Sequence, residues 1–131
     1  MRDAEKMVAV VTGGNKGLGR ELALGLAKRG FFTVIIARDG ELNRKIISEI
    51  EQGGGAAESY GSDLRDESSL KRTFSEILAK HGGIDVLVNN AAAAYFEFAK
   101  DIDEARCSEM LDVNLKAVYI ACKMALPYMT D

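Results

Sequence analysis

Residues 8–19 read VAVVTGGNKGLG. The apolar run Val8 to Val11 has the character of a buried strand. The glycines after it open a helix in which Leu18, Leu22 and Leu26 recur at helical spacing until Gly30 stops it. A bare glycine pattern is weak evidence, but one set between a strand and a helix start is what a phosphate cradle requires. Gly13 can end the strand in a tight turn, Gly17 lets backbone approach a phosphate with no side chain between, and Gly19 allows the helix to pack closely on the strand. Unpaired N–H groups at the helix start would then face the anion. Gly14 to Gly19 also has the spacing of a triphosphate-binding loop, but Arg20 and Glu21 follow where that mechanism needs a lysine and a magnesium-binding hydroxyl. A dinucleotide is the better ligand.

The rest of the chain repeats this alternation. Thr33 to Ala37 is a short β-branched strand, followed by a helix with Leu42, Ile46, Ile47 and Ile50 on one stripe, ended by Gly53, Gly54 and Gly55. Ala57 to Gly61 is a weak third strand. Asp66 then caps a helix whose Leu70, Phe74, Ile77 and Leu78 face inward before Gly82 and Gly83, and Ile84 to Val88 makes a fourth strand. Continuous apolar strands separated by helices imply a parallel sheet covered on both faces, a doubly wound α/β fold. No repeat, low-complexity tract or linker divides the chain, so 1–131 is expected to be one domain.

Composition narrows the function. With 131 residues, 47% of them hydrophobic, and a net charge of -3, the chain fits one soluble domain. A pI near 5.3 and the absence of a basic cluster argue against nucleic acid. The start MRDAEK lacks the apolar run of a signal peptide and no segment has the ~18 consecutive apolar residues of a membrane span, so no membrane partner and a cytoplasmic location are expected. Cys107 and Cys122 lie too far apart on one helix to bridge. His81 has no partner at ligand spacing, and no metal site is expected.

The segment from Asp103 to Met129 reads as one helix that is apolar around most of its circumference, through Met110, Leu111, Val113, Leu115, Val118, Ile120, Met124, Ala125 and Leu126. Such a helix needs neighbours on more than one side. The sheet supplies one; the other would be a second protomer or a further piece of the domain.

Taken together, TGGNKGLG at 12–19, Asp63-Leu64 after the third strand, NNAA at 89–92 and Asn114 in DVNL resemble the short-chain dehydrogenase/reductase family over essentially the full chain. The resemblance implies a Rossmann-type sheet of order 3-2-1-4, with ligand outside the carboxyl ends of its strands. It implies that the glycine loop (Gly13, Asn15, Lys16, Gly17, Leu18, Gly19) holds a nicotinamide dinucleotide. Asp63 would accept from the adenine amino group while the Leu64 N–H contacts the ring. Asn90, Ala91, Ala92 and Val113 would complete the cofactor site, with Ala92 standing where the family usually has glycine and so hindering close approach. Asn114 would bend its helix and join a proton relay.

The form of the cofactor turns on the end of the second strand. An NAD site usually has an acid there, whereas a 2′-phosphate favours arginine. Ala37 and then Arg38 occupy that end, and Lys16 adds a second cation, which favours NADP(H) over NAD(H). Asp39 would become the acid of an NAD site if the strand ended one residue later.

The stretch YIACK, 119–123, has the spacing of the family's catalytic Tyr-Lys pair, but it follows Asn114 on the same helix. At ~1.5 Å per residue that helix carries Tyr119 away from the nicotinamide end, and a Tyr and Lys at i and i+4 share a face by ordinary packing. The family's serine and Tyr-Lys pair come after a fifth strand, so the domain is expected to be incomplete at its C-terminus. The expected function is the NADP(H)-binding portion of an oxidoreductase acting on a small carbonyl or alcohol once complete, inactive alone. The alternative is a redox-silent dinucleotide sensor or dimerisation module. An open sheet edge and an apolar helix face would favour homo-oligomers through 103–129 in either case.

Overall fold

The computed structural model describes residues 7–129, so the MRDAEK start lies outside the described residues. Four strands form one parallel sheet: β1 (Val8–Thr12), β2 (Phe32–Ile36), β3 (Ala57–Tyr60) and β4 (Val86–Val88), in the order β3-β2-β1-β4. Val8 to Thr12 pair in register with Phe32 to Ile36, and Ala9 to Val11 with Val86 to Val88. Side chains alternate along the central strands and so divide the core in two. Val11 and Ile35 meet α1 (Gly17–Lys28) and α2 (Gly40–Gln52) on one face. Val10, Val34 and Ile36 meet α3 (Glu67–His81) and α5 (Ala117–Ala125) on the other. Among the described residues no helix is long and apolar enough to cross a membrane.

Two helices depart from the sequence reading. In α1 the leucine stripe is not the inward face: Leu18 is 71% exposed and Leu22 37%, while Gly19, Ala23 and Ala27 are buried. The helix lies so close to the sheet that only small residues fit beneath it. The expected single helix from 103 to 129 is instead α4 (Glu104–Leu111), a π-helical turn at Asp112–Lys116, α5 and a 3₁₀ turn at Leu126–Tyr128. Within the π turn the Ala117 N–H bonds the Asp112 carbonyl, one residue further back than in an α-helix. On α5 the core face is Ala117, Ile120, Ala121 and Ala125, and Leu111, Leu115, Tyr119 and Leu126 are exposed. Both cysteines are free thiols.

At the β3 edge, Glu58 accepts from Lys80 and lies 2.7 Å from His81 Nε2. Burial alone would raise the Glu58 carboxyl, but the hydrogen bonds from Lys80 and His81 outweigh it and hold the group below its ordinary range. A depressed folded value stabilises the protein fully above the unfolded pKa, and that contribution is lost as pH falls. Wild type should therefore lose more thermal stability than Glu58→Gln as pH drops below about 4.3, a difference read from melting curves of the two proteins. The tight α1 contact gives a second expectation: Ala23→Leu should cost roughly 1–3 kcal/mol by overpacking. Leu22→Ala should cost roughly 0.5 kcal/mol. Urea unfolding ranks the two.

Candidate functional site

The site is assembled where β1 ends. Gly13 has φ +63, and its N–H donates to the Ile36 carbonyl at 2.8 Å, turning the chain sharply off the strand. Gly17 also has positive φ, at +55, and an added Cβ there would meet nothing within 4 Å. Gly19 is the opposite case: a Cβ would lie 2.2 Å from the Gly13 carbonyl oxygen and 2.3 Å from Asn90 Nδ2. Its lack of a side chain lets α1 begin directly against the turn and the end of β4.

Capping sets this helix apart. Asp39, Asp66 and Asp103 accept from backbone N–H groups at the starts of α2, α3 and α4. No side chain among the described residues caps α1, and its first turn holds no acid. Its first N–H groups and the positive end of its dipole are available to an anion. Lys16, with extended backbone at the N-cap position, and Arg38, just past β2, are both exposed.

Thr12, which the sequence reading left out of the site, locks β1 to β4. Its hydroxyl accepts from the N–H groups of Asn90 and Ala91, both at 3.1 Å, and donates to the Val88 carbonyl at 3.4 Å. Asn90 Nδ2 donates back to the carbonyls of Thr12 at 3.1 Å and Gly13 at 3.2 Å. Its place immediately before the glycines was the available signal. Ala92 has no left-handed backbone, since no non-glycine residue among those described has positive φ, so alanine needs no strain there.

Asp63 is more than a lone acceptor. Arg65 donates its backbone N–H to Oδ1 at 2.9 Å and its Nη2 to Oδ2 at 2.7 Å, with Nε shared between the two oxygens. These hydrogen bonds hold the Asp63 carboxyl below its ordinary range and keep it charged. Arg65 reaches on to Glu109 at 3.3 Å, and Glu109 accepts from the Tyr95 hydroxyl, whose pKa this bond raises. Arg106 sits over the Tyr95 ring and pairs with Glu97 at 2.5 Å. The chain after β4 is thereby tied to the loop after β3.

Asn114 lies in the π turn. Its Oδ1 accepts from the Ala93 N–H and its Nδ2 donates to the Ala93 carbonyl, both at 2.8 Å, as a neighbouring strand would. Tyr119 is 64% exposed, with Lys123 Nζ 6.0 Å from its ring centroid.

These parts enclose an open cleft of about 860 Å³. Of the residues that the resemblance assigns to the cofactor, Gly13, Asn15 and Lys16 from the first loop, Gly17, Leu18 and Gly19 from the start of α1, Arg38 from the second loop and Asp63 and Leu64 from the third line it, whereas Asn89 of the NNAA motif does not. Asn90, Ala91, Ala92 and Val113 close the far side. Ala37, Asp39, Leu42, Ser62, Arg65, Ala93 and Glu109 line it as well. Asn114 stands behind Ala93 rather than in the lining, and Tyr119 and Lys123 are not part of it. The cradle is open at Gly17 and uncapped at α1, with cations beside it, an arrangement that favours an anionic ligand.

Comparison with known proteins identifies the family. The family model described as short chain dehydrogenase matches residues 7–131. Human hydroxysteroid dehydrogenase-like protein 2 is 35% identical over 126 residues, covering 91% of this chain and 30% of that protein. A metagenomic short-chain oxidoreductase solved in complex with NADP superposes with a TM-score of 0.91 at 37% identity, over 93% of this chain and 56% of its own. An alcohol dehydrogenase from the archaeon Thermococcus sibiricus, solved with 5-hydroxy-NADP, gives 0.89 at 31% identity, over 95% and 53%. The chain thus spans about half the length of the solved relatives and less than a third of the human one.

The two glycines should respond differently to a methyl group. Gly19→Ala must displace backbone and is expected to cost about 3 kcal/mol or more. Gly17→Ala, strained only by its φ, should cost roughly 1–2 kcal/mol. Thermal unfolding of both variants checks the order.

Proposed function

Because the chain belongs to the short-chain dehydrogenase family, we propose that residues 1–131 are the NADP(H)-binding portion of an oxidoreductase that interconverts a carbonyl and an alcohol. The observation that carries this reading is the charge arrangement at the ends of β1 and β2. Two exposed cations, Lys16 and Arg38, line the cleft beside an uncapped helix start. Ala37 directly follows β2, where an NAD site usually has an acid. Asp39, the remaining candidate for that acid, is engaged at the α2 cap, where its Oδ1 accepts from Glu41 and Leu42 N–H at 3.0 Å each.

In this reading the α1 N–H groups hold the pyrophosphate, and Lys16 and Arg38 take the 2′-phosphate by charge-assisted hydrogen bonds. Asp63, kept ionised by Arg65, accepts from the adenine amino group, and the Leu64 N–H contacts the ring. When bound, the reduced nicotinamide supplies hydride. Asn114, through its two bonds to Ala93, fixes the backbone that leaves β4 and stands ready for a proton relay. Tyr119, off the cleft, is not the proton donor. A serine and Tyr-Lys pair outside these residues would complete the chemistry, and the chain alone would bind without turnover. Its free thiols suit a reducing, cytoplasmic setting. The exposed row Leu111, Leu115, Tyr119 and Leu126 would be covered by a second copy.

Fluorescence or calorimetric titration tests the cofactor assignment. NADPH should bind more tightly than NADH. Lys16→Ala and Arg38→Ala should each weaken NADPH on the order of tenfold while leaving NADH nearly unchanged. An acid-like preference for NADH in the wild type would sink the reading.

A further inference from the structure

Asn43 occupies an inward position of α2 and is 2% exposed, on a stripe otherwise formed by Ile46 and Ile50. An apolar residue would fill that place without penalty, whereas a buried amide costs stability unless it is bonded. Both halves of this amide are bonded. Nδ2 donates to the Ala37 carbonyl at 2.9 Å, and Oδ1 accepts from Asn15 Nδ2 at 2.9 Å. Asn15 is itself buried, at 7% exposed.

Both partners are direct chain neighbours of the cleft's cations. Asn15 immediately precedes Lys16, and Ala37 immediately precedes Arg38. The two cations belong to separate strand-helix units, and among the described residues neither forms an ion pair that would hold it in place. One buried amide therefore links the Ala37 backbone to the Asn15 side chain, the two residues just before the cations.

We infer that Asn43 is a positioning residue that sets the separation of the two cation-bearing loops, and with it the discrimination between a 2′-phosphorylated dinucleotide and a plain one. The inference rests on the NADP(H) reading above. Two cations act on one phosphate only while their backbones stay in register, because charge-assisted bonds weaken steeply with distance and misalignment. The pyrophosphate cradle keeps other ties when the bridge is lost, among them the Gly13 N–H bond to the Ile36 carbonyl and the close contact of Gly19 with the turn. Loss of the bridge should therefore weaken phosphorylated ligands selectively. A purely structural role would weaken both dinucleotides alike.

Asn43→Leu keeps the branching at Cγ, with a larger side chain, and removes both bonds. Its dissociation constant for NADPH is expected to rise on the order of tenfold while that for NADH changes by less than about twofold. Equal losses, or no loss, would overturn the inference while leaving the cofactor reading intact, provided the wild type prefers NADPH. A wild type without that preference overturns the cofactor reading and this inference with it. Should the variant fail to fold, the wild type still decides by nuclear magnetic resonance. The Asn43 side-chain amide protons should shift on adding adenosine 2′,5′-bisphosphate and stay in place with adenosine 5′-monophosphate. The same response to both, or to neither, counts against the bridge.

Discussion

The approach of Gly19 to the Gly13 carbonyl governs how α1 leaves the sheet. With no Cβ between them, helix and turn meet at backbone distance. The small face of Gly19, Ala23 and Ala27 continues that close contact along β1 and β2. The same contact aims the first N–H groups of α1 across the end of β1. Thr12 and Asn90 then fasten β4 to this junction through the glycine turn itself. The core and the cleft thus share one constraint: a residue large enough to loosen the turn would disturb the packing beneath it and the cleft above it.

How much of this the sequence disclosed depended on how local each cause is. The faces of α2 and α3 were legible because large apolar residues, Ile46 and Ile50, then Leu70, Phe74 and Ile77, repeat at helical spacing over a sheet that has room for them. The face of α1 was misleading for the reverse reason. Hydrophobic periodicity weights size, and the closest contact in the fold selects against size, so the conspicuous leucines sit outside it. Strand order followed from the family resemblance, since periodicity carries no information on which strands are neighbours. The π turn was hidden because its companion is remote: Asn114 pairs with Ala93, 21 positions back. His81 looked unpartnered in sequence because Glu58 is 23 residues away.

Charge in the cleft is arranged so that its carboxylates are already engaged. Asp39 is bound into the α2 cap. Asp63 and Glu109 share Arg65, and Glu109 also accepts from Tyr95. Among the described residues Lys16 and Arg38 form no ion pair, and with the start of α1 they put positive charge at the opening. A net charge of -3 over the chain therefore says little about this surface, because interactions between exposed charges fade beyond about 10 Å at moderate salt. The balance near the cleft is set by a few hydrogen bonds, each made within or between neighbouring loops.

The segment from α4 to α5 shows how one stretch of helix serves both rim and core. Glu109 and Val113 line the cleft, while Ala117, Ile120, Ala121 and Ala125 pack in the core. A regular α-helix takes about 3.6 residues for each turn. The π turn at Asp112–Lys116, closed by the Ala117 N–H bond to the Asp112 carbonyl, takes one residue more and so lies between the two sets. Without that surplus, drift along the helix would carry either the rim residues off the cleft or the alanines off the core. The insertion falls at Asn114, whose amide reaches across to the strand-like backbone of Ala93. The irregular turn is thus the physical means by which a side chain on a core-packed helix fixes the edge of the cleft.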